Sequence, residues 1–165
     1  MNRSDISIIS TANKELTISI KPCDRKRDGQ FIRELTKENC YHYLRNTIGW
    51  DESRHLQEPK FPDRYLMLFE GNNCIGFLAL REQDDYLYLH TLQLIQQYRR
   101  QGIGTKLLEF IEYIAKEKAK NKIRLRVING NPALSLYRRN GYEVLDNLDW
   151  CLLMQKTLNV LESDS

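Results

Sequence analysis

From Tyr86 to Lys120 the chain changes character three times without a break, and that succession constrains the fold more than any other part of the sequence. Tyr86 to Ile95 is rich in tyrosine and leucine and reads as a strand whose mixed alternation implies burial on both faces near its end. Gln96 to Gly104 is polar, basic and glycine-bearing. Gly102 to Lys120 then carries Ile103, Leu107, Leu108, Ile111, Ile114 and Ala115 as an apolar stripe at helical spacing, with Glu112 and Lys116 paired on the opposite side. A buried strand therefore feeds a tight turn, and the turn opens an amphipathic helix that needs a sheet to cover. Gly102 and Gly104 let the backbone bend and let a ligand approach it. The amides from Arg100 to Thr105 stand at a helix N-terminus, where N–H groups lack intrahelical acceptors. A phosphate or pyrophosphate would satisfy them and meet the positive end of the helix dipole, with Arg99 and Arg100 adding charge. Each hydrogen bond to a charged group contributes about 1.5–3 kcal/mol, so several converging amides make a strong anion site. The turn is not a P-loop, since no Gly-Lys-Ser/Thr follows. It is not a full GxGxxG fingerprint either, because Leu107 stands at the third position.

The rest of the chain supplies the sheet. Glu15 to Lys21 alternates, with Leu16, Ile18 and Ile20 on one side, and Pro22 stops it. Phe31, Ile32, Leu35 and Tyr41 to Leu44 recur at roughly helical spacing, predicting one or two helices between about 28 and 47. Gly49 to Pro62 reads as a loop. Arg64 to Glu70 and Ile75 to Arg81 are strands, turned by Gly71-Asn72-Asn73 and followed by Gln83-Asp84-Asp85. After the central helix, Ile123 to Ile128 is a short strand. Asn131-Pro132 opens a helix that stops at Asn140-Gly141, and Tyr142 to Leu145 with Trp150 to Lys156 close the chain as paired strands. Tight turns early and a helical crossover later predict an α/β (α+β) domain: three αβα layers about a central mixed, mostly antiparallel sheet. The expected organisation is a flexible segment at 1–14, one domain at 15–158 and a flexible tail at 159–165.

Composition narrows the function classes. The 165 residues hold 25 Lys+Arg against 22 Asp+Glu, and a net +3 is too small to point to nucleic acid. The basic group Lys21, Arg25, Lys26 and Arg27 is interrupted by Asp24 and Asp28 and reads as a solvated face. The sequence has no apolar run long enough to span a bilayer and no secretory h-region at 1–14, so neither a membrane nor an export signal is expected. Cys23, Cys40, Cys74 and Cys151 show no zinc-ligand spacing, so no metal is expected and the thiols read as reduced, in a cytoplasmic protein.

A second segment, Asn131-Pro132-Ala133-Leu134-Ser135-Leu136-Tyr137 followed by Gly141-Tyr142, lies about 30 residues beyond Arg99-x-x-Gly102-x-Gly104. Together, in that order and spacing, the two motifs resemble the GNAT superfamily of acyl-CoA-dependent N-acetyltransferases. The resemblance covers roughly residues 15 to 157. It implies that the stretch Arg99, Arg100, Gln101, Gly102, Ile103, Gly104 and Thr105 holds the pyrophosphate of acetyl-CoA. It implies that Leu92, Gln93 and Leu94 bind the pantetheine arm like an added strand, with the Leu94 N–H directed at the thioester carbonyl. Asn131 would reach the pantetheine or thiol end, and Tyr137 would return a proton to the leaving thiolate. From the residues alone, Tyr137 also reads as core packing and Asn131 as a helix cap.

The implied reaction is direct attack of a primary amine, on a small molecule or a peptide, through a tetrahedral intermediate. The amine must first lose a proton. Many relatives carry an acidic residue where this chain has His90-Thr91, and ribosomal-protein acetyltransferases place a Glu where Arg126 stands. Glu52, from the Gly49-Trp50-Asp51-Glu52 loop, is the first candidate base, His90 the second and Asp51 the third; a water relay is also open. Gln96 and Arg100 replace the commoner Pro and Gly. Trp50, Tyr41, Tyr43, Phe61 and Tyr65 are candidates for an aromatic acceptor wall. Without a strand carboxylate, a weakly catalytic acyl-CoA sensor is the alternative. The chain is expected to be a monomer or homodimer, with the last strands as the dimer edge.

Overall fold

The structure, a computed structural model, describes residues 5–9, 15–56, 59 and 63–159. The expected flexible stretches lie mostly outside these residues, with one correction: Asp5–Ile9 forms a strand, β1, paired antiparallel with β2 (Glu15–Pro22). Helix α1 (Arg25–Arg45) is a single helix of 21 residues. Its start is closed twice: the Asp24 carboxylate accepts from the Lys26 and Arg27 amides, and Asp28 accepts from the Asp24 amide at 2.8 Å. Within the predicted loop, Glu52–His55 makes one helical turn, α2, capped by Asp51.

Strands β3 (Arg64–Glu70), β4 (Asn73–Glu82) and β5 (Leu87–Leu94) form the meander. Helix α3 (Ile103–Glu117) crosses to β6 (Lys122–Ile128), and α4 (Ala133–Arg139) leads to β7 (Glu143–Asn147) and β8 (Cys151–Thr157). One eight-stranded sheet results, in the order β1-β2-β3-β4-β5-β6-β8-β7. Every pairing is antiparallel except β5 with β6, which the α3 crossover makes parallel.

Alternation sorts the side chains into layers. Leu66 and Leu68 of β3 and Leu78 and Leu80 of β4 pack with Ile103, Leu107, Leu108 and Ile111 of α3. Met67 and Phe77 point the other way, onto Ile32 and Leu35 of α1. Helices thus cover both faces of β3 and β4, which is why β4 reads as an unbroken apolar run. Tyr65 stacks on Phe77, their ring centroids 6.0 Å apart, and is packed against this second cluster rather than standing in an acceptor wall.

Candidate active site

Strand β5 departs from period two in the middle. Ala79 pairs with Thr91 and Leu80 with Leu89, which leaves His90 as an extra residue, a β-bulge. The bulge explains why Leu89 and Leu92, three apart, both pack toward α3. It also replaces the expected two-sided burial, for Thr91 to Leu94 are only half-buried. They are half-buried because β5 has lost a neighbour: its register with β6 covers only Leu87 to Leu89. The Ile95 amide donates to the Ile75 carbonyl, so by the antiparallel alternation Leu94 and Leu92 turn their N–H and C=O groups away from β4, into the gap toward β6. Arg99 donates to the Leu94 carbonyl from Nε (3.2 Å) and from its terminal nitrogen (3.1 Å), and the Asn39 amide donates to it at 3.3 Å. The same arginine nitrogen also donates to the Asn39 side chain. Asn39 sits four residues after Leu35 on α1, a helical spacing legible in the sequence although its role is not.

The turn that follows is wound for anions. Residues 96–98 form a short 3₁₀ turn, tied to β3 by the Tyr98 hydroxyl, which donates to the Glu70 carboxylate. Arg100 (φ +57°) and Gly102 (φ +81°) occupy the left-handed region on either side of Gln101. Among the described residues, no amide from Arg100 through Thr105 has a protein acceptor; intrahelical bonding begins with the Lys106 amide on Gly102. A Cβ on Gly102 would meet nothing within 4 Å, so the glycine is needed there for its backbone conformation rather than for space. Gly104 corrects the expectation of a second bend. Its backbone is helical, and a Cβ there would lie 2.9 Å from the Leu136 side chain, so this glycine brings α3 close to α4.

That contact positions Tyr137. The ring is 8% exposed, packed in the core and edge-to-face with Tyr142 at 5.8 Å. Burial, reinforced by the electrostatics of Cys40 on α1, pushes the phenol up to about 12. Cys40 in turn receives a hydrogen bond from the Gln93 side-chain amide at 3.6 Å, which ties α1 to the open end of β5. The Asn131 side chain accepts from the Ala133 amide at 2.9 Å and caps α4, as its cap reading expects.

The base candidates separate clearly. The Glu52 carboxylate is 60% exposed and bound to Lys37 at 2.5 Å, and that ammonium group holds its pKa below the ordinary value. A depressed, committed carboxylate is a poor proton acceptor. Asp51 is also held low, by the Ser53 hydroxyl and then by the amides of the α2 turn that it caps. His90 is placed differently: its Nδ1 lies 2.7 Å from the Asp63 carboxylate, and its ring is 44% exposed. Asp63 had no signal in the sequence, because only the sheet brings the end of a loop to the bulge. In the loop between α1 and β3, Trp50 packs edge-on to Tyr41 at 5.4 Å and against His55 at 5.2 Å; Phe61 lies outside the described residues.

Among the described residues no cluster of His, Cys, Asp and Glu could hold a metal ion, and no helix is long and apolar enough to cross a membrane. An unpaired strand edge beside a helix-opening turn whose amides have no protein acceptor among the described residues is an arrangement suited to an anion. Residues 30–142 match the Acetyltransferase (GNAT) family, and the chain belongs to it. It is 39% identical over 121 residues to the probable N-acetyltransferase san of Drosophila melanogaster, spanning 70% of this chain and 64% of that protein. It is 29% identical to the probable N-acetyltransferase 14 of Xenopus tropicalis, over 52% of this chain and 43% of that one. The matched part thus falls short of two thirds of either relative's length. The fold superposes on a Thermoplasma acidophilum PaiA N-acetyltransferase in complex with coenzyme A, with a TM-score of 0.70 and 23% identity, covering 85% of this chain and 98% of that one. It also superposes on a GNAT acetyltransferase from Elizabethkingia anophelis with acetyl-CoA bound, at a TM-score of 0.60 and 19% identity, covering 86% and 98%.

Proposed function

We propose that this protein transfers an acetyl group from acetyl-CoA to a primary amine, on a small molecule or on a peptide. The observation that carries the reading is the run of acceptor-free amides from Arg100 to Thr105, continuous with the unpaired edge of β5. The amides of residues 100–105 would take the pyrophosphate, with the side chains of Arg99 and Arg100 nearby. The backbone of Leu92 to Leu94 would receive the amide-bearing pantetheine arm, as a strand edge receives a peptide. The Leu94 N–H would stabilise negative charge on the thioester oxygen as the amine attacks directly.

Tyr137 is the acid. A phenol near 12 is fully protonated across the working pH range, and it gives up its proton only as charge builds on a sulfur that is itself shielded from water. His90 is favoured over Glu52 as the base, since Glu52 is neutralised by Lys37. The protein is read as acting in the cytoplasm, which agrees with its four unpaired cysteines, and as a monomer or homodimer.

The test is thiol release from acetyl-CoA across a panel of small and peptide amines, with calorimetric titration of CoA alongside. Amine-dependent release supports the reading. Tight CoA binding without release would support an acyl-CoA sensor instead, and no binding would remove both.

A further inference from the structure

The side chains around the β5 bulge form a chain of contacts that the reaction, as described, leaves unused. Asp63 ends the loop before β3 and its side chain is 9% exposed. Its two oxygens are filled: Oδ1 accepts from Arg81 Nε at 2.8 Å, and Oδ2 accepts from the second Arg81 nitrogen at 3.2 Å and lies 2.7 Å from His90 Nδ1. Burial alone would raise the Asp63 pKa, but the Arg81 and His90 hydrogen bonds outweigh it and hold the group ionised. An ionised carboxylate accepts and cannot donate, so His90 Nδ1 must carry the hydrogen in this contact. In the neutral imidazole that places the lone pair on Nε2, which has no partner among the described residues.

The bulge supplies the aim. It turns His90 out of the ladder to the face opposite α3, in the stretch where β5 has parted from β6. Tyr88 lies alongside the ring, their centroids 6.2 Å apart. The charged and titratable groups around this corner include Asp63 from the loop, Tyr65 from β3, Arg81 from β4, Tyr88 from β5 and, reaching Tyr88 from across the gap, Arg126 of β6 and Cys151 of β8. Asp63 is the acidic member of this set and it is fully engaged.

We infer that Asp63, clamped by Arg81, is a positioning residue that fixes the tautomer and direction of His90, so that Nε2 takes the proton from the acceptor ammonium. This rests on the acetyl-transfer reading above. The protons balance as follows. One leaves the ammonium for His90 Nε2 and passes to solvent. A second, shed by nitrogen once the N–C bond has formed, replaces the one that Tyr137 gives to sulfur as the C–S bond breaks. Products are the amide, the free thiol and one proton.

Two measurements test it. In long-range ¹H–¹⁵N spectra at neutral pH, neutral His90 should be the Nδ1–H form. His55 serves as an internal contrast, because its Nδ1 accepts from the Asp51 amide and requires the opposite form. Asp63→Asn leaves one oxygen for the three N–H groups of Arg81 and His90, and His90 should move toward the Nε2–H form. In kinetics, His90→Gln should lower kcat about a hundredfold or more, and Asp63→Asn at least about tenfold, with KM for acetyl-CoA unchanged. The double variant should be no slower than His90→Gln. Wild-type His90 in the Nε2–H form overturns the inference whether or not any amine is turned over. So does an active enzyme whose kcat and His90 tautomer Asp63→Asn leaves unmoved, and in that case the acetyl-transfer reading stands. Should Asp63→Asn fail to fold, the wild-type spectrum and the His90→Gln kinetics decide the point alone.

Discussion

Tyr137 and Tyr142 touch edge to face, yet their hydroxyls have different surroundings. Tyr137 feels the electrostatics of Cys40 on α1, whereas the Tyr142 hydroxyl is buried with no hydrogen-bond partner among the described residues. Tyr137→Phe should therefore cut kcat about a hundredfold while leaving the calorimetric affinity for CoA within a few fold; equal turnover would remove Tyr137 from its role. Tyr142→Phe should instead raise stability, by about 1 kcal/mol in chemical denaturation, because an unsatisfied buried hydroxyl is removed and the ring stays. Residues next to sequence motifs were legible at this scale: Tyr137 follows Asn131-Pro132, and Arg99 to Thr105 bracket the glycines. Asp63 and Asn39 were not, since each acts through a contact more than twenty residues away that only tertiary packing creates. Glu52 reads as a free loop carboxylate, and what the sequence hides is that Lys37, fifteen residues back on α1, neutralises it.

Elements built on strong periodicity were readable almost to their ends. The stripe Ile103 to Ala115 is buried along α3, and Arg64 to Glu70 is the strand the alternation predicts. The interruptions were harder to read. A bulge and a doubly buried strand both break alternation, and the pattern Leu89-His90-Thr91-Leu92 does not distinguish them. The two glycines of the turn looked alike but do different work, one by conformation and one by close packing. Gly102→Ala isolates the first: a methyl group there has room, so the whole cost is the left-handed backbone. The expected loss is about 1–2 kcal/mol by denaturant titration, with weaker CoA binding if the turn rewinds to relieve it. At the start of α1, Asp28 is a buried carboxylate hydrogen-bonded first to Arg27 and then to the Asp24 amide, which together hold its pKa low.

For the whole molecule these carboxylates set an acid limit. Asp28 and Asp63 both have folded-state pKa values below their unfolded ones. Each therefore contributes stability that is present above the unfolded value near 4 and is lost as pH falls through the lower folded value. Urea midpoints should be flat from about pH 6 to 8 and drop below about pH 4, and Asp28→Asn should lower the neutral-pH midpoint while flattening the acid drop. A drop of equal depth in the variant would count against Asp28. The largest consequence comes from the short register between β5 and β6. The main-chain ladder between the N-terminal and C-terminal parts of the sheet is only three residue pairs long, so the α3 crossover and side-chain packing supply most of the remaining cohesion. An extended ligand lying along that seam would act as a splint. At a hundredfold excess over its Kd, coenzyme A should raise unfolding stability by about 2.7 kcal/mol. Amide exchange should slow not only at the contacted turn but also in β6 and β8, because bridging the seam would make the two parts breathe together.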